Sequence, residues 1–487
     1  MKYGSRNLGM FPNVLGMFIK LGQIDRNFLR KIINFVDLIF NKLSPPPAIP
    51  YIPQNRWWGE KDNADDALRP FKVRYSNKMI EELINKLENR KNFTRSLRQS
   101  ANRYGLNRDL LNDVLEYWHR SYDFRNREKV LNKYPQYVTN IQGLDIHYVH
   151  IKPSQPVRGK VLPILLIHGW PTTNREYFGF LDDFLKPKEE YDFIFEVIVP
   201  NLPGFGYSQG TNKQGLAPYQ IGIIFKNLMS RLAHQRFYIH AGDIGLWVGS
   251  HMATMYQDDV LGLHTNFPQS LMPMTLIKYI LGSLNPSAVV DLKYADRMYP
   301  VTKLLTRFLE NTGYYHMHAT RPDTIGVGME ESPSALASWI LPNIIVATNP
   351  TFVDVPDGKL LETYDLNDIL DILTTYWHCQ CSTTAIRVYA EFNAIFQDPL
   401  NFILEWIPTK VPYGAIKFRH EIIYQPDDFL RDKYPNLVHS VTLDYGGHFA
   451  SLENPQALAH SIWTAVRKME NFHLNKFWYL QNNDYYL

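Results

Sequence analysis

Cysteine is nearly absent from this 487-residue chain, with Cys379 and Cys381 the only two. They are separated by a single residue and have no further partners. That supports neither a disulfide framework nor a cysteine-held structural zinc site, and it fits a reducing compartment. No run of about 18 or more apolar residues, the length that crosses a bilayer, is found. Charge of one sign is not in excess either. The 51 basic and 48 acidic residues leave a formal net charge of +3, so no nucleic-acid footprint stands out. Internal repeats and low-complexity tracts are missing, and no motif calls for a cofactor or a metal. What is present is length: enough for a large enzyme core with appended segments.

The most informative run is Phe237 to His251, Phe-Tyr-Ile-His-Ala-Gly-Asp-Ile-Gly-Leu-Trp-Val-Gly-Ser-His. An apolar strand enters a tight turn of small residues and a helix leaves it, with Asp243 at the tip between Ala241 and Gly245. This is the pattern of a nucleophile elbow, in which small flanking residues let strand and helix approach and push one strained side chain into a pocket. The side chain here is a carboxylate. A carboxylate nucleophile forms an ester with an electrophilic carbon, which suits displacement at an epoxide or a halide-bearing carbon. The plainer alternative is that Asp243 only caps the helix.

The surroundings favour the elbow. Val161 to Ile167 and Phe195 to Val199 are nearly continuous apolar strands, and a third feeds Asp243. Strands alternating with helical stretches predict a parallel, doubly wound sheet. The first strand ends in His168-Gly169-Trp170-Pro171, where a glycine allows close backbone approach and a free N–H can polarise a carbonyl. Near the C-terminus, Val441 to Leu443 leads into Asp444-Tyr445-Gly446-Gly447-His448-Phe449-Ala450, the place where a general base would enter; nucleophile, acid, histidine is also the chain order such a fold imposes. For the acid, Glu421 is chosen, to orient the imidazole and stabilise its cation. Asp427 and Asp428 compete, but they read as the start of a surface helix. Gly206-Tyr207-Ser208-Gln209-Gly210 matches the serine-esterase motif literally, yet follows a turn-rich stretch and precedes a polar loop, so Ser208 is set aside.

Taken together these motifs resemble the microsomal-type epoxide hydrolases, the α/β-hydrolase branch that includes the insect juvenile hormone epoxide hydrolases. The resemblance takes in Trp57-Trp58-Gly59, Leu144-Asp145-Ile146-His147, His168-Gly169-Trp170-Pro171 and Pro203-Gly204-Phe205-Gly206-Tyr207-Ser208. It continues through the Asp243 elbow, Gly313-Tyr314, Thr320-Arg321-Pro322-Asp323-Thr324 and Gly446-Gly447-His448-Phe449, over roughly residues 50 to 470. It implies an enzyme that turns a small lipophilic epoxide and water into a vicinal diol, without a cofactor. Asp243 would attack the less hindered epoxide carbon, while Tyr314 and Tyr389 donate hydrogen bonds to the epoxide oxygen. His448, held by Glu421, would activate water against the ester, with the backbone N–H groups of Trp170 and Ile244 holding the oxyanion. Two departures stand near the chemistry. The family elbow is usually Gly-Gly-Asp-Trp-Gly, where this chain has Ala241-Gly242-Asp243-Ile244-Gly245; and Glu60 follows Gly59 where the family continues with Pro-Gly.

Five segments are expected. Residues 1–43 form an N-terminal appendage closed by the Ser44-Pro45-Pro46-Pro47 linker, 44–158 an extension wrapping the core, 159–265 and 395–487 the two parts of the α/β-hydrolase core, and 266–394 a mainly helical lid. In the appendage, Phe28, Leu29, Ile32, Ile33, Val36, Ile39, Phe40 and Leu43 share one face of a helix, which can lie in a membrane interface or dock on the protein body. Leu8 to Ile19 is a short apolar stretch broken by Pro12 and Asn13. The resemblance favours a membrane surface as partner, at the cytosolic face of the endoplasmic reticulum, and roles in detoxification or juvenile hormone catabolism. Two other functions stay open: a haloalkane dehalogenase, which needs halide-binding donors such as a Trp in place of Ile244, and a catalytically silent relative that binds lipophilic ligands.

Overall fold

The computed structural model describes residues 25–43, 45–60, 65–154, 159–394 and 398–483. The Leu8 to Ile19 stretch and Ser44 of the linker lie outside the described residues. Nine strands make one sheet: β1 (Arg69–Phe71), β2 (Gln136–Ile141), β3 (Leu144–Ile151), β4 (Lys160–Ile167), β5 (Phe193–Pro200), β6 (Phe237–Ala241), β7 (Val260–Thr265), β8 (Tyr413–Phe418) and β9 (Leu437–Leu443). Their order is β1-β2-β3-β5-β4-β6-β7-β8-β9. The pairs from β1 to β5 are antiparallel, and those from β5 through β9 are parallel. This is the doubly wound, mostly parallel α/β-hydrolase sheet expected from the sequence. Its antiparallel edge, β1 to β3, comes from the 44–158 segment, so that segment builds sheet as well as laying helices over it.

Parallel strands are covered on both faces, which is why β4 and β5 read as apolar runs and not as alternations. Leu165, Ile167 and Ile239 pack on one side with the helices Pro218–Arg231 and Ile244–Met255, while Ile164, Leu166 and Tyr238 pack on the other with Phe180, Phe184 and Trp463. The chain reverses direction across the sheet at β4, which lies between β5 and β6. Ligands of open α/β sheets bind beyond the carboxyl ends of the strands at such a switch point. The ends of β4 and β6 lead directly into Gly169 and Asp243.

The stretch between β7 and β8 is helical and carries Tyr314 on Gly313–Thr320 and Tyr389 on Ser382–Phe392. Its longest helix, Pro333–Thr348, buries Leu336, Ile340, Leu341, Ile344 and Ile345, too apolar to stand free of the core. A fully buried carboxylate clamps this layer to the rest. Asp371 accepts from Tyr122 Oη at 2.9 Å, Arg127 Nε at 2.8 Å and Arg175 Nε at 2.9 Å. One lid acid thus ties together the N-terminal extension and the loop after β4, and the two arginines supply the compensation that a buried charge needs.

The helix Arg26–Leu43 docks on the body through Leu29 and Ile33, which are buried against Met274, Val289, Met298 and Tyr299. Only one stripe is covered, since Phe35 and Leu38 stay 64% and 66% exposed, and Phe28 and Leu43 are exposed as well. The expected amphipathic helix is present, and its apolar side is wider than the docking contact uses. Leu29→Ala should weaken docking by about 2–5 kcal/mol, the usual cost of emptying a buried leucine site. Hydrogen exchange should then accelerate within residues 26–43 while the melting of the sheet core stays unchanged.

Candidate active site

Asp243 sits between β6 and the helix Ile244–Met255 with φ 49° and ψ −130°, a backbone conformation that L-residues rarely adopt. Its side chain makes no capping bond to that helix, so the helix-cap reading of Asp243 does not hold. The elbow exists because three backbones meet there without side chains between them. A Cβ on Gly245 would lie 2.4 Å from the Ile167 carbonyl oxygen, one on Gly242 would lie 2.6 Å from Asn266 Oδ1, and one on Gly169 would lie 2.3 Å from Asp243 Oδ1. The cramped turn aims the carboxylate outward. Trp170 N–H donates to Asp243 Oδ1 at 2.8 Å. Ile244 is fully buried and, as the first residue of its helix, has an N–H with no carbonyl partner inside that helix.

Asp243 Oδ2 lies 3.2 Å from His448 Nε2, and His448 Nδ1 lies 2.7 Å from Glu421 Oε1. Glu421 stands just past the end of β8, and His448 just past β9. The Ile422 N–H donates to the same Glu421 oxygen at 2.6 Å, which fixes the carboxylate plane. The histidine loop is gripped from both sides. His448 N–H bonds the Ala347 carbonyl at 3.0 Å, while Gly447 and Phe449 N–H groups donate to the two oxygens of Glu453 at 2.7 and 2.9 Å. Burial alone would lower the His448 pKa, but the neighbouring Glu421 and Asp243 carboxylates outweigh it and hold the imidazole well above its ordinary 6.5. Such a shift means charged His448 favours the folded state. That contribution is complete below the ordinary value and is lost as pH rises through the raised one.

The two lid tyrosines come to the same place. Tyr314 stacks on the Trp170 ring at 5.2 Å between centroids, and Tyr389 meets that ring edge-on at 6.3 Å and Tyr314 at 6.4 Å. Burial, with the Asp243 charge adding to it, pushes both phenols up, so both carry their protons at neutral pH. The Tyr389 hydroxyl is buried without a hydrogen-bond partner among the described residues. Tyr315, next in sequence, is engaged with Asn393. Ser208 belongs elsewhere: its hydroxyl donates to the Asn201 carbonyl at 2.9 Å and accepts from His147 N–H at 3.0 Å. Asp427 begins the helix Asp427–Lys433 and pairs with Lys417 at 2.5 Å, away from His448.

Sequence reasoning missed two groups. Glu176 lines a small cavity with Asp243, His448, Trp170, Thr172 and Asn266, and burial pushes its carboxyl up to about 7. His318 is buried between Trp170 at 4.7 Å and Tyr389 at 5.0 Å, and its Nε2 accepts from the Trp339 indole at 2.9 Å. Burial lowers it to about 3. One turn of helix separates His318 from Tyr314, and that spacing was the only local signal. Glu176 had none.

A carboxylate elbow facing a histidine–carboxylate pair at the switch point of this sheet defines an α/β-hydrolase, and residues 163–289 match the α/β-hydrolase fold model. Residues 68–177 match the model of the epoxide hydrolase N terminus. The chain is 44% identical over 433 residues to the juvenile hormone epoxide hydrolase of Manduca sexta, covering 88% of this chain and 93% of that one. It is 34% identical over 415 residues to epoxide hydrolase 1 of Sus scrofa, covering 83% and 91%. The crystal structure of juvenile hormone epoxide hydrolase from the silkworm Bombyx mori superposes with a TM-score of 0.84 at 35% identity, covering 87% of this chain and all of that one. The chain therefore belongs to the epoxide hydrolases and is an enzyme of that family.

Neutralising Asp243 tests the charge balance of the site. Asp243→Asn removes a negative charge 3.2 Å from Nε2, so the His448 imidazolium loses support and its pKa must fall. Titration of the imidazole by NMR should place it below the wild-type value; an unchanged or higher value would contradict the arrangement.

Proposed function

We propose that the chain hydrolyses lipophilic epoxides in two steps through an ester on Asp243. Oδ2 attacks the less hindered epoxide carbon, the C–O bond breaks, and the developing alkoxide takes its proton from the phenols of Tyr314 and Tyr389. Neutral, buried phenols suit this role: they donate to an oxyanion yet bring no permanent charge into an apolar pocket. The observation that carries the reading is Tyr389, a buried hydroxyl with no partner among the described residues, beside the ring of the same Trp170 whose backbone N–H binds the carboxylate.

Ester formation also switches the base on. Once Asp243 is esterified its charge is gone, so the support it gives the imidazolium disappears, Nε2 is released from Oδ2, and the imidazolium gives its proton to the phenolate left by ring opening. His448 then takes a proton from water, and the hydroxide attacks the ester carbonyl carbon. Oδ1, already under the Trp170 N–H, carries the oxyanion together with the Ile244 N–H. Collapse expels the second diol oxygen as its alkoxide, which takes the proton from His448, and the Asp243 carboxyl, now carrying an oxygen from water, passes its own proton to Nε2 as the resting ion pair re-forms. Glu421 stays ionised beside Nδ1 throughout. The ester on Asp243 is expected to last long enough to isolate when the base is removed. Asp243→Ala should abolish turnover, a loss of at least about 10⁴-fold if no other group attacks. His448→Gln should alkylate once and stop, with the adduct visible by intact-protein mass. Hydrolysis surviving in both variants would rule out the scheme.

For the physiological substrate we take the hormone-type epoxides of the insect relatives as the first candidates, beside lipid and xenobiotic epoxides. Membrane association is proposed on the helix Arg26–Leu43, which exposes Phe28, Phe35, Leu38 and Leu43 and contacts the helix Pro273–Gly282, where Leu276 and Ile280 are exposed as well. Arg26, Lys31 and Lys42 add positive charge suited to anionic lipid. No helix among the described residues is long and apolar enough to cross a membrane, so this association is interfacial, at the cytosolic face of the endoplasmic reticulum. Removing residues 1–43 should shift the protein from sedimenting with anionic vesicles to the supernatant while epoxide hydrolysis persists; equal sedimentation of both forms would refute the assignment.

A further inference from the structure

We propose that His150, Glu196 and His234 form a binding site for one divalent transition-metal ion of the zinc type, at the end of the sheet opposite Asp243. Among the described residues they are the group of histidine, cysteine and acidic side chains whose ligand atoms all lie within 4.8 Å of one another. Three separate elements bring them together. His150 is near the end of β3 and pairs with Ile198; Glu196 is in the middle of β5; His234 follows the helix Pro218–Arg231 just ahead of β6. The site residues Gly169 and Asp243 follow the other ends of β4 and β6, so this cluster is remote from the chemistry.

Both imidazoles converge on one atom. His150 Nε2 lies 2.7 Å and His234 Nε2 3.1 Å from Glu196 Oε1, and their ring centroids are 6.2 Å apart. Two His nitrogens and one carboxylate oxygen are the donor set of an open tetrahedral zinc site, with metal–ligand distances of about 2.0–2.2 Å. Ligand atoms on such a tetrahedron stand roughly 3.3 Å apart, so the contacts of His150 and His234 with Oε1, at 2.7 and 3.1 Å, need to open by about 0.6 and 0.2 Å. The side chains are 9%, 13% and 14% exposed for His150, Glu196 and His234. They are held by packing yet reachable from solvent, which leaves the fourth position to water. To bind, each imidazole presents its Nε2 lone pair and carries its proton on Nδ1. The ion replaces two hydrogen bonds to Glu196 with three coordinate bonds, and the carboxylate, already drawn well below its usual range by the two histidines against the opposing effect of burial, offsets half of the ion's charge. No short-range spacing marks the site, because the three ligands are 46 and 38 residues apart. Its consequence is structural. The ion would cross-link the antiparallel edge of the sheet, the strand beside β4, and the turn that launches β6 toward the elbow.

The full-length protein, stripped with chelator and dialysed, is titrated with Zn²⁺ alone by calorimetry, and its melting temperature is followed with and without Zn²⁺. One equivalent should bind with micromolar affinity or tighter and raise the melting temperature. His234→Gln and Glu196→Gln should each weaken binding at least tenfold and remove the thermal shift, and His234→Cys, which restores a ligand, should recover it. Epoxide hydrolysis by metal-free protein should equal that of wild type, and this separates the metal site from the catalytic scheme. Zn²⁺ affinity unchanged by His234→Gln, or no stoichiometric binding to wild type, would overturn the proposal.

Discussion

The elbow at Asp243 is the constraint on which the rest of the site depends. Three chain segments approach closely enough that a single added Cβ at Gly169, Gly242 or Gly245 would collide with a backbone or side-chain oxygen. In return the carboxylate is fixed under one N–H and beside one imidazole, instead of turning back to cap its own helix. Strain of this kind persists only where surrounding packing overdetermines it. Here that packing is the buried face of β4 and β6 and the helix Ile244–Met255, whose residues from Ile244 to Thr254 are all buried. A β-branched Ile244, where the resemblance to the family implies Trp, is tolerated because its side chain packs into this core, and its backbone stays where the turn needs it. A flat wall beside the carboxylate is supplied by Trp170, while Trp247 meets Tyr389 edge-on at 6.4 Å and stacks on Phe392 at 3.9 Å.

Charge in the site is arranged in series. A buried imidazolium between two carboxylates is close to self-compensating, whereas any one of the three alone would be costly in that setting. The lid faces this charged line with neutral donors only: Tyr314, Tyr389, and a His318 held uncharged. In the proposed reaction an epoxide arriving between them meets an anion on one side and proton donors on the other, which is the polarity its ring opening requires.

The lid stays in register because it is bolted to two distant parts of the chain. Asp371 reaches the N-terminal extension through Arg127 and Tyr122, and the loop after β4 through Arg175. The same loop carries Trp170. A displacement of the lid would therefore also disturb the N–H beneath Asp243. The appended helix Arg26–Leu43 stands outside this network: it packs near Met298 and Tyr299, and Arg30 Nε donates to the Ala288 carbonyl at 2.9 Å.

What the sequence determined by itself was whatever local periodicity and turn chemistry can write. The apolar runs of β4, β5 and β6, the small-residue turn around Asp243, the glycines before His448 and the amphipathic stripe from Phe28 to Leu43 all express short-range rules, and each is legible within its own local segment. The strands β1 to β3 were harder to read, because an antiparallel sheet edge has neither the continuous apolar run nor a helix crossing after it. Tertiary structure alone decided the relations between remote residues. It brought Glu421, already preferred to Asp427 on the sequence, to 2.7 Å from His448 Nδ1. It buried Glu176 against the site, and it gathered His150, Glu196 and His234 onto one point. The physical reason is common to all three. A side chain's charge state and partners are set by what the folded chain packs around it, and sheet order, not sequence distance, decides which strands become neighbours.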